Sequence, residues 1–354
     1  MDVARLDKNL AQEKGSLEDG YKAYTLPCKD IDLYGVKYNE ELGFFERMPY
    51  ETAKKVSYCV EVLSSTTAGA RARFKTNSKS IVIKVKYRYL AHMNNMPRIG
   101  ASGFTQIEIV DGKYYRSGKV FPTMKDDKGY TGKIGLAGEG MREYILFFPL
   151  YNDYIEEITL GFEEGSIVEG GSKYKFDLPV LYYGSSITQG AAASRSDNCY
   201  QAYISEWNNV DYINLGFSGS AKAEDVMLEY LATVKSKVYV LDYDHNAPNA
   251  EHLRKTHYKA YKTYRDANPD TPIIMMSKPD FDRWCTTERL NVIKGTYKRA
   301  KAEGDNNVYF IDGRRFFGKV DREHCTADGC HPNDLGFYRI AKVLNKVIAP
   351  LLEK

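Results

Sequence analysis

Five short apolar runs recur in the second half of this chain, spaced so that one helix fits between neighbouring runs. Their apolarity is continuous rather than alternating, which predicts strands buried on both faces. The runs cover residues 180–183, 212–214, 238–241, 273–276 and 308–311. Segments with helical periodicity cover residues 197–208, 223–234, 251–267, 288–303 and 335–352. The pattern predicts an α/β fold with a doubly wound parallel sheet.

The first half has a different pattern, in which apolar and polar residues alternate. Isoleucine and valine alternate with lysine within residues 80–87, and similar strand-like stretches cover residues 104–110, 141–150 and 155–162. Alternation predicts antiparallel strands with one solvated face, arranged here as a β-sandwich. A glycine-containing stretch at residues 163–175 follows. We therefore expect a sandwich domain at residues 1–170 and an α/β domain at residues 171–354.

The bulk properties exclude several classes of partner. The 354 residues suffice for two domains, and 50 basic against 47 acidic residues give a formal charge of +3 without the dense basic surface of nucleic-acid-binding proteins. No apolar run reaches membrane-spanning length, and the charged N-terminus has no apolar signal core. Six scattered cysteines are typical of free thiols in a reducing compartment. We expect a cytoplasmic protein that binds neither nucleic acid nor membrane.

The most informative local motif is LYYGSSITQG at residues 181–190. It predicts an apolar strand that ends in a glycine-flanked turn, with Ser186 at the tip of the turn. A serine between a parallel strand and a helix lies among free backbone N–H groups, where a nucleophile that forms an oxyanion belongs. Taken alone, such a serine is more often a turn residue or a helix cap.

A second motif, Asp328-Gly329-Cys330-His331, supplies the partners that such a serine needs. A histidine that acts as general base requires an acceptor on its second ring nitrogen, which fixes its tautomer and orientation. An aspartate three residues before the histidine lies on the same side of a loop or first helical turn. The motif precedes the helix expected at residues 335–352, so His331 is expected on a rigid element.

Two further residues are candidate donors for the oxyanion. Gly219 follows the 212–214 strand and can offer its backbone N–H without obstruction by a side chain. Asn246 follows the 238–241 strand and can donate from its amide. Together with the N–H of Ser186, they give three donors at the carboxyl edge of the predicted sheet. Taken singly, such a glycine is more often a turn residue than a donor, and such an asparagine is more often a loop or capping residue.

These segments resemble the SGNH hydrolases, the superfamily also called GDSL esterases and lipases. The resemblance is carried, in family order, by Gly184-Ser185-Ser186, Gly219, Asn246 and Asp328-Gly329-Cys330-His331. Two positions depart from the family pattern, since Ser185 stands where aspartate is usual and Asp244 stands where glycine is usual. Neither departure replaces a reacting group.

The resemblance implies a flavodoxin-like fold for the second domain and a role for each matching residue. Ser186 is expected to be the nucleophile, with His331 as its base and Asp328 as the partner of that base. The N–H of Ser186, the N–H of Gly219 and the amide of Asn246 are expected to form the oxyanion hole. The mechanism implied by the family requires no cofactor.

The segment DIDLYG at residues 30–35, with the predicted sandwich, resembles a subgroup of two-domain SGNH esterases. That subgroup includes carbohydrate acetylesterases whose sandwich looks like a jelly roll or carbohydrate-binding module. We expect a serine esterase that removes O-acetyl groups from hemicellulose-derived oligosaccharides, with acetylated mannan favoured over xylan on resemblance alone. Trp284 and Asn246 are the candidate substrate-binding residues, and a homodimer is a possible assembly.

Three alternatives use the same residues. The segment HCTADGCH at residues 324–331 contains potential zinc ligands, but structural zinc sites normally draw ligand pairs from two separated segments, so we expect no metal. A short-chain lipid or aryl esterase, or a thioesterase, would use the same serine and histidine. A sugar-binding protein with a vestigial site is the third alternative, and the intact set of reacting residues argues against it.

Overall fold

The computed structural model describes residues 6–7, 13–18, 20–90, 92–136, 138–152, 154–279 and 287–354. It divides into two compact units. The first consists of Met1–Glu46 and Ser65–Lys173, and the second of Arg47–Ser64 and Tyr174–Lys354. The second unit therefore includes a short segment from the N-terminal half of the chain. The division into domains at residues 1–170 and 171–354 stays a prediction.

The first unit consists mainly of antiparallel strands. They are β1 (Tyr21–Thr25), β2 (Asp32–Tyr34), β3 (Lys37–Asn39), β4 (Phe44–Glu46), β5 (Arg71–Thr76), β6 (Ser80–Tyr87), β7 (Phe104–Val110), β8 (Lys113–Val120), β9 (Gly129–Gly135), β10 (Arg142–Phe147), β11 (Ile155–Glu163) and β12 (Val168–Gly170). One sheet has the order β1-β11-β6-β9. Another has the order β12-β5-β10-β7-β8, with β2 also paired to β5.

The core of this unit is built from the alternation seen in the sequence. Along β6, Ile83 and Val85 are buried in the core, whereas Lys84 and Lys86 are exposed. Phe74 on β5 lies in the same buried cluster, so the apolar faces of both sheets contribute to one core. The expected antiparallel sandwich is confirmed. The strand expected at residues 141–150 is shorter, because β10 pairs with its neighbours only over Arg142–Phe147.

In the second unit, helices alternate with strands. Of the helices given next, only α3 belongs to the first unit. They are α1 (Tyr50–Val56), α2 (Tyr58–Ser64), α3 (Arg98–Ser102), α4 (Ser186–Gln189), α5 (Tyr200–Asn208), α6 (Asp225–Thr233), α7 (Ala250–Ala267), α8 (Glu288–Ala302) and α9 (Asp334–Leu352). Among the described helices, none combines the length and the apolarity needed to cross a membrane. The helix expected at 197–208 is interrupted, because a separate 3₁₀ turn covers Ser196–Asn198.

The second unit is built on five parallel strands. They are β13 (Val180–Gly184), β14 (Tyr212–Gly216), β15 (Val238–Asp242), β16 (Ile273–Met276) and β17 (Val308–Ile311). Their order is β14-β13-β15-β16-β17, and every described pairing between them is parallel. Numbered along the unit, this is the order 2-1-3-4-5 of flavodoxin-like sheets. The expected flavodoxin-like fold is confirmed.

Strand β13 is buried along its whole length, which explains its continuous apolarity. On one face, Leu181 and Tyr183 belong to a buried cluster that also contains Leu253 of α7. On the other face, the ring of Tyr182 packs edge-on against Tyr200 of α5, with centroids 5.5 Å apart. Helices therefore cover both faces of the sheet, as a doubly wound fold requires.

Arg47 holds the end of β14 from within the same unit. Its guanidinium is buried and donates to the carbonyl oxygens of Asn214 and Gly216, at 2.8 and 2.9 Å, and to that of Leu63 at 2.6 Å. The same group lies 4.9 Å from the ring centroid of Phe217. Charge-assisted hydrogen bonds of this kind stabilise carbonyl groups at a strand end. The turn that follows β14, which carries Gly219, is thereby fixed at its start.

Candidate active site

The carboxyl ends of β13 and β14 lie directly under helix α4. A Cβ atom on Gly184 would lie 2.1 Å from the hydroxyl oxygen of Thr188 and 2.5 Å from the carbonyl oxygen of Asp242. A Cβ atom on Gly216 would lie 2.1 Å from the backbone nitrogen of Gln189. Only glycine leaves room for α4 at these two positions, so the helix that begins at Ser186 packs against bare backbone.

Ser186 is the first residue of α4 and is only 4% exposed. Ser185 caps the helix, since its hydroxyl oxygen accepts a hydrogen bond from the backbone N–H of Ile187 at 3.2 Å. A short polar side chain at this position satisfies a helix-terminal N–H whether it is serine or aspartate. The first departure from the family pattern therefore keeps the capping function. Gly190 ends the helix with a φ of 118°.

The structure brings Ser186, His331 and Asp328 into one hydrogen-bonded chain. The hydroxyl of Ser186 lies 3.0 Å from Nε2 of His331, and Nδ1 of His331 lies 2.8 Å from a carboxylate oxygen of Asp328. Both distances are within normal hydrogen-bond range. The side chain of His331 is 24% exposed. The arrangement allows a proton to pass from the serine to the imidazole while the carboxylate orients the ring.

Asp328 also organises the backbone of the loop that carries His331. One of its carboxylate oxygens accepts the backbone N–H of Cys330 at 3.0 Å and that of His331 at 2.8 Å, while the other faces the imidazole. This is a turn closed by an aspartate side chain. The spacing of three residues is therefore required by two backbone hydrogen bonds as well as by the contact with the ring.

The two predicted oxyanion residues lie on segments that are hydrogen-bonded to each other. The side-chain oxygen of Asn246 accepts the backbone N–H of Ala221 at 3.2 Å. This bond uses the oxygen of the amide group, and the NH₂ of the same group is the predicted oxyanion donor. Ser218, on the turn before Gly219, donates its N–H to the side chain of Gln189 of α4 at 3.0 Å. Gly219 has a φ of +68°, which only glycine adopts without strain.

The second departure from the family pattern, Asp244, forms a buried ion pair. Its carboxylate is 1% exposed and lies 2.9 Å from Nε of Arg289, the second residue of α8. The other carboxylate oxygen accepts the backbone N–H of Lys278 at 2.9 Å. Arg289 also donates to the carbonyl oxygens of Asp244 and Ala247. The charge of Asp244 is thus compensated, and the 3₁₀ turn Asp244–Asn246 is attached to α8.

A further buried carboxyl group, Asp242, lies beside the helix of the candidate nucleophile. The hydroxyl groups of Thr188 and Tyr200 both donate to one of its oxygens, at 2.9 and 3.2 Å. Burial raises the pKa of Asp242 to about 7, the two hydrogen bonds oppose this increase, and nearby Asp244 adds to it. In the sequence Asp242 directly follows the apolar run at residues 238–241, and no motif marked it as a buried carboxyl group beside the candidate nucleophile.

Cys330 has a contact that the sequence did not predict. Its sulfur lies 3.0 Å from Nε2 of His245, the residue before Asn246. Burial is the main cause of a raised pKa for this thiol, with the negative charge of Asp328 contributing. Nothing in the sequence paired His245 with Cys330, because the residues are 85 positions apart.

The potential zinc ligands of residues 324–331 have separate hydrogen-bond partners. Cys330 contacts His245, and the thiol of Cys325 is 3.7 Å from the carbonyl oxygen of Asp321. Within the described part of the chain, the converging group of metal-ligating side chains is Asp321, Glu323 and His324, all exposed. Trp284, the other predicted substrate-binding residue, lies outside the described residues.

Comparison with known families identifies both halves of the chain. A model of the GDSL-like lipase/acylhydrolase family matches residues 177–349. The second half of the chain is a GDSL-like lipase domain. A model of the N-terminus of SGNH-hydrolase-type esterases, named for its GxDLY motif, matches residues 24–168. The resemblance expected from the serine and histidine motifs and from DIDLYG is therefore confirmed.

Solved structures of similar architecture cover nearly the whole hydrolase. A putative GDSL-like lipase from Bacteroides ovatus is 29% identical, with a TM-score of 0.81, over 94% of this chain and 98% of that chain. The salicylyl-acyltransferase SsfX3 of a tetracycline biosynthetic pathway is 17% identical, with a TM-score of 0.76, over 94% and 98%. The acetyl xylan esterase Est2A from the rumen bacterium Butyrivibrio proteoclasticus is 12% identical, with a TM-score of 0.62, over 94% and 99%.

The likenesses to SsfX3 and Est2A, both below 25% identity, show a shared fold. A comparison with curated protein sequences found no significant match. The match of residues 177–349 to the GDSL-like lipase/acylhydrolase family supports a carboxylic ester hydrolase, which confirms the expected enzyme class.

Proposed function

We propose that this protein is a serine esterase that removes O-acetyl groups from hemicellulose-derived oligosaccharides, with acetylated mannan as the first substrate class and xylan as the second. The observation that carries the proposal is the chain of hydrogen bonds from Ser186 through His331 to Asp328, at 3.0 and 2.8 Å. Est2A, whose fold is shared, is an acetyl xylan esterase, and this supports a saccharide ester as substrate.

The first half-reaction forms an acetyl-enzyme. The hydroxyl oxygen of Ser186 bonds to the acetyl carbonyl carbon while its proton passes to Nε2 of His331. The carboxylate of Asp328 stabilises the imidazolium that results. The carbonyl oxygen becomes an oxyanion, which accepts hydrogen bonds from the N–H groups of Ser186 and Gly219 and from the amide of Asn246. When the intermediate collapses, the C–O bond to the sugar breaks and the sugar oxygen takes the proton from Nε2.

The second half-reaction releases acetate. Water gives a proton to Nε2 of His331 and its oxygen bonds to the acetyl carbon, which forms a second oxyanion in the same site. The bond to Ser186 then breaks, and the serine oxygen recovers the proton from the imidazole. The oxyanion donors contribute a large part of the rate, since loss of one such donor typically costs about 100- to 1,000-fold.

A cytoplasmic location is part of the same proposal. Free thiols are present at Cys28, Cys59, Cys199, Cys325 and Cys330 among the described residues, as expected in a reducing cytoplasm. A cytoplasmic esterase of this kind acts on imported acetylated oligosaccharides rather than on the polymer. A homodimer is the proposed assembly, and its stoichiometry is measurable by light scattering.

The test uses acetylated manno- and xylo-oligosaccharides incubated with the wild type and with Ser186→Ala. Mass spectrometry should show stepwise loss of acetyl groups with the wild type only. A parallel assay with aryl acetate and aryl octanoate distinguishes acyl length, and preference for octanoate would overturn the substrate class. If a fluorophosphonate fails to label Ser186 and the variant loses nothing, the protein is a binding protein with a vestigial site.

A further inference from the structure

Three consecutive residues of the 3₁₀ turn Asp244–Asn246 contact three different parts of the catalytic unit. Asp244 is attached to α8 through Arg289. His245 contacts Cys330 at 3.0 Å, and Asn246 accepts the backbone N–H of Ala221 at 3.2 Å. The first and third contacts hold the turn against α8 and against the segment of Gly219. The second joins the turn to the loop that carries His331.

Cys330 lies between the two loop residues of the proposed mechanism and is fixed from both sides. Its backbone N–H donates to the carboxylate of Asp328 at 3.0 Å. Its side chain reaches out of the loop to Nε2 of His245. Asp328 also accepts the N–H of His331, so the same carboxylate oxygen joins the backbone of Cys330 to that of His331.

The chemistry of the thiol favours a structural contact over a second nucleophile. Cys330 is partly buried, and both burial and the nearby carboxylate of Asp328 raise the pKa of its thiol. The neutral thiol is a poor nucleophile, because the thiolate is the reactive form. It can still make one weak hydrogen bond with an imidazole nitrogen.

We propose that the hydrogen bond between Cys330 and His245 sets the distance between the His331 base and the Asn246 donor. The proposal rests on the Ser-His-Asp mechanism proposed above. In each half-reaction the base must receive a proton while the amide stabilises the oxyanion, so both groups must reach their positions in the same transition state. A misplacement of about 1 Å in such a site can cost 100-fold in rate. Cys330 and His245 are therefore positioning residues that act through His331 and Asn246.

The test compares Cys330→Ala with Cys330→Ser, which retains a short hydrogen-bonding group. Cys59→Ala is the matched control, because Cys59 is an exposed cysteine on α2. We expect Cys330→Ala to lower kcat for an aryl acetate by about tenfold with KM changed by less than about twofold. Cys330→Ser and Cys59→Ala should stay within about threefold of the wild type.

His245 is tested in the same way, with His252→Ala as control, since His252 is only partly buried on α7 and contacts the carbonyl oxygen of Lys222 instead. His245→Ala should lower kcat to a similar degree. The double variant Cys330→Ala with His245→Ala should cost little more than either single change, because both remove the same bond.

The rate of fluorophosphonate labelling at Ser186 separates this inference from the proposed function, since labelling requires no saccharide. Slower labelling of Cys330→Ala at an unchanged melting temperature supports the positioning role. If the wild type is labelled at Ser186 and Cys330→Ala is labelled equally fast with the same kcat, the positioning role is overturned while the triad stands. A kcat loss in Cys330→Ala that Cys330→Ser does not restore also overturns it.

Discussion

Asp328 holds His331 at two points, with one carboxylate oxygen 2.8 Å from the ring nitrogen Nδ1 and the other 2.8 Å from the backbone nitrogen. The first contact selects the tautomer whose Nε2 faces Ser186. The second keeps the residue in its turn. The two functions belong to different oxygens, so a single substitution can separate them.

Asp328→Asn should keep the turn and lose the orientation of the ring. The amide oxygen can still accept the backbone N–H groups, whereas the amide nitrogen cannot accept Nδ1–H. We expect kcat to fall roughly 1,000- to 10,000-fold, as expected when the base is left in the wrong tautomer. Steady-state kinetics with an aryl acetate measure the loss, and circular dichroism should show an unchanged fold. An active Asp328→Asn enzyme would contradict the role of the carboxylate.

Asn246→Asp tests the oxyanion donor without disturbing its neighbour. The carboxylate can accept the N–H of Ala221 as the amide oxygen does at 3.2 Å, but it has no N–H to donate and adds a negative charge. We expect kcat to fall by at least about 100-fold with little change in melting temperature. Asn246→Ala serves as comparison, since it loses both contacts and should melt at a lower temperature. Equal activity of Asn246→Asp and wild type would exclude the donor role.

Gly219→Ala and Gly295→Ala form a matched pair, because a Cβ atom meets nothing within 4 Å at either position. Gly219 has a φ of +68°, so alanine there should destabilise the fold by about 1–2 kcal/mol. Gly295 lies inside α8, where alanine should stabilise the fold by up to about 1 kcal/mol. Urea unfolding measures both. Stabilisation by Gly219→Ala would show that the turn adopts another conformation.

Asp242→Asn should alter how the stability of the protein depends on pH. The pKa of Asp242 is raised from 3.8 to about 7, so between these values the folded protein holds a proton that the unfolded chain has released. Its contribution is complete below pH 3.8 and is lost as the pH rises towards 7. Wild type should lose up to about 1.4 kcal/mol per pH unit in this window relative to Asp242→Asn.

The measurement is urea unfolding of both proteins at pH 5 and pH 8. Burial lowers the pKa of His257 to about 3, which gives stability the opposite slope below pH 6.5. This contribution is common to both proteins and cancels in their difference. A stability difference that is the same at both pH values would show that Asp242 does not titrate in this range.

Arg289→Met should destabilise the second unit strongly, because it leaves the carboxylate of Asp244 buried at 1% exposure without its cation. Breaking one partner of such a pair typically costs about 3–5 kcal/mol. Adding Asp244→Asn to Arg289→Met should recover part of the loss, since the amide carries no charge. Thermal unfolding of the single and double variants measures this. Additive losses in the double variant would contradict a compensated buried pair.

The sequence predicted the parallel sheet well because its evidence is local. Strands buried on both faces must be apolar throughout, so each of the five strands is visible as an apolar run. The observed bounds differ from the expected ones mainly at the carboxyl ends. Strands β13 and β14 run on to Gly184 and Gly216, since the parallel ladder pairs these two glycines. The break at Ser196–Asn198 was missed, because a 3₁₀ turn before α5 does not disturb helical periodicity.

The sequence by itself determined which residue types carry the chemistry, because a serine at a strand end and an aspartate three residues before a histidine are local patterns with local causes. Only the tertiary structure decided which distant groups meet. The contact of His245 with Cys330, the ion pair of Asp244 with Arg289 and the bond of Thr188 to Asp242 each join residues more than forty positions apart. Chain folding alone creates such contacts, because no periodicity along the chain relates their partners.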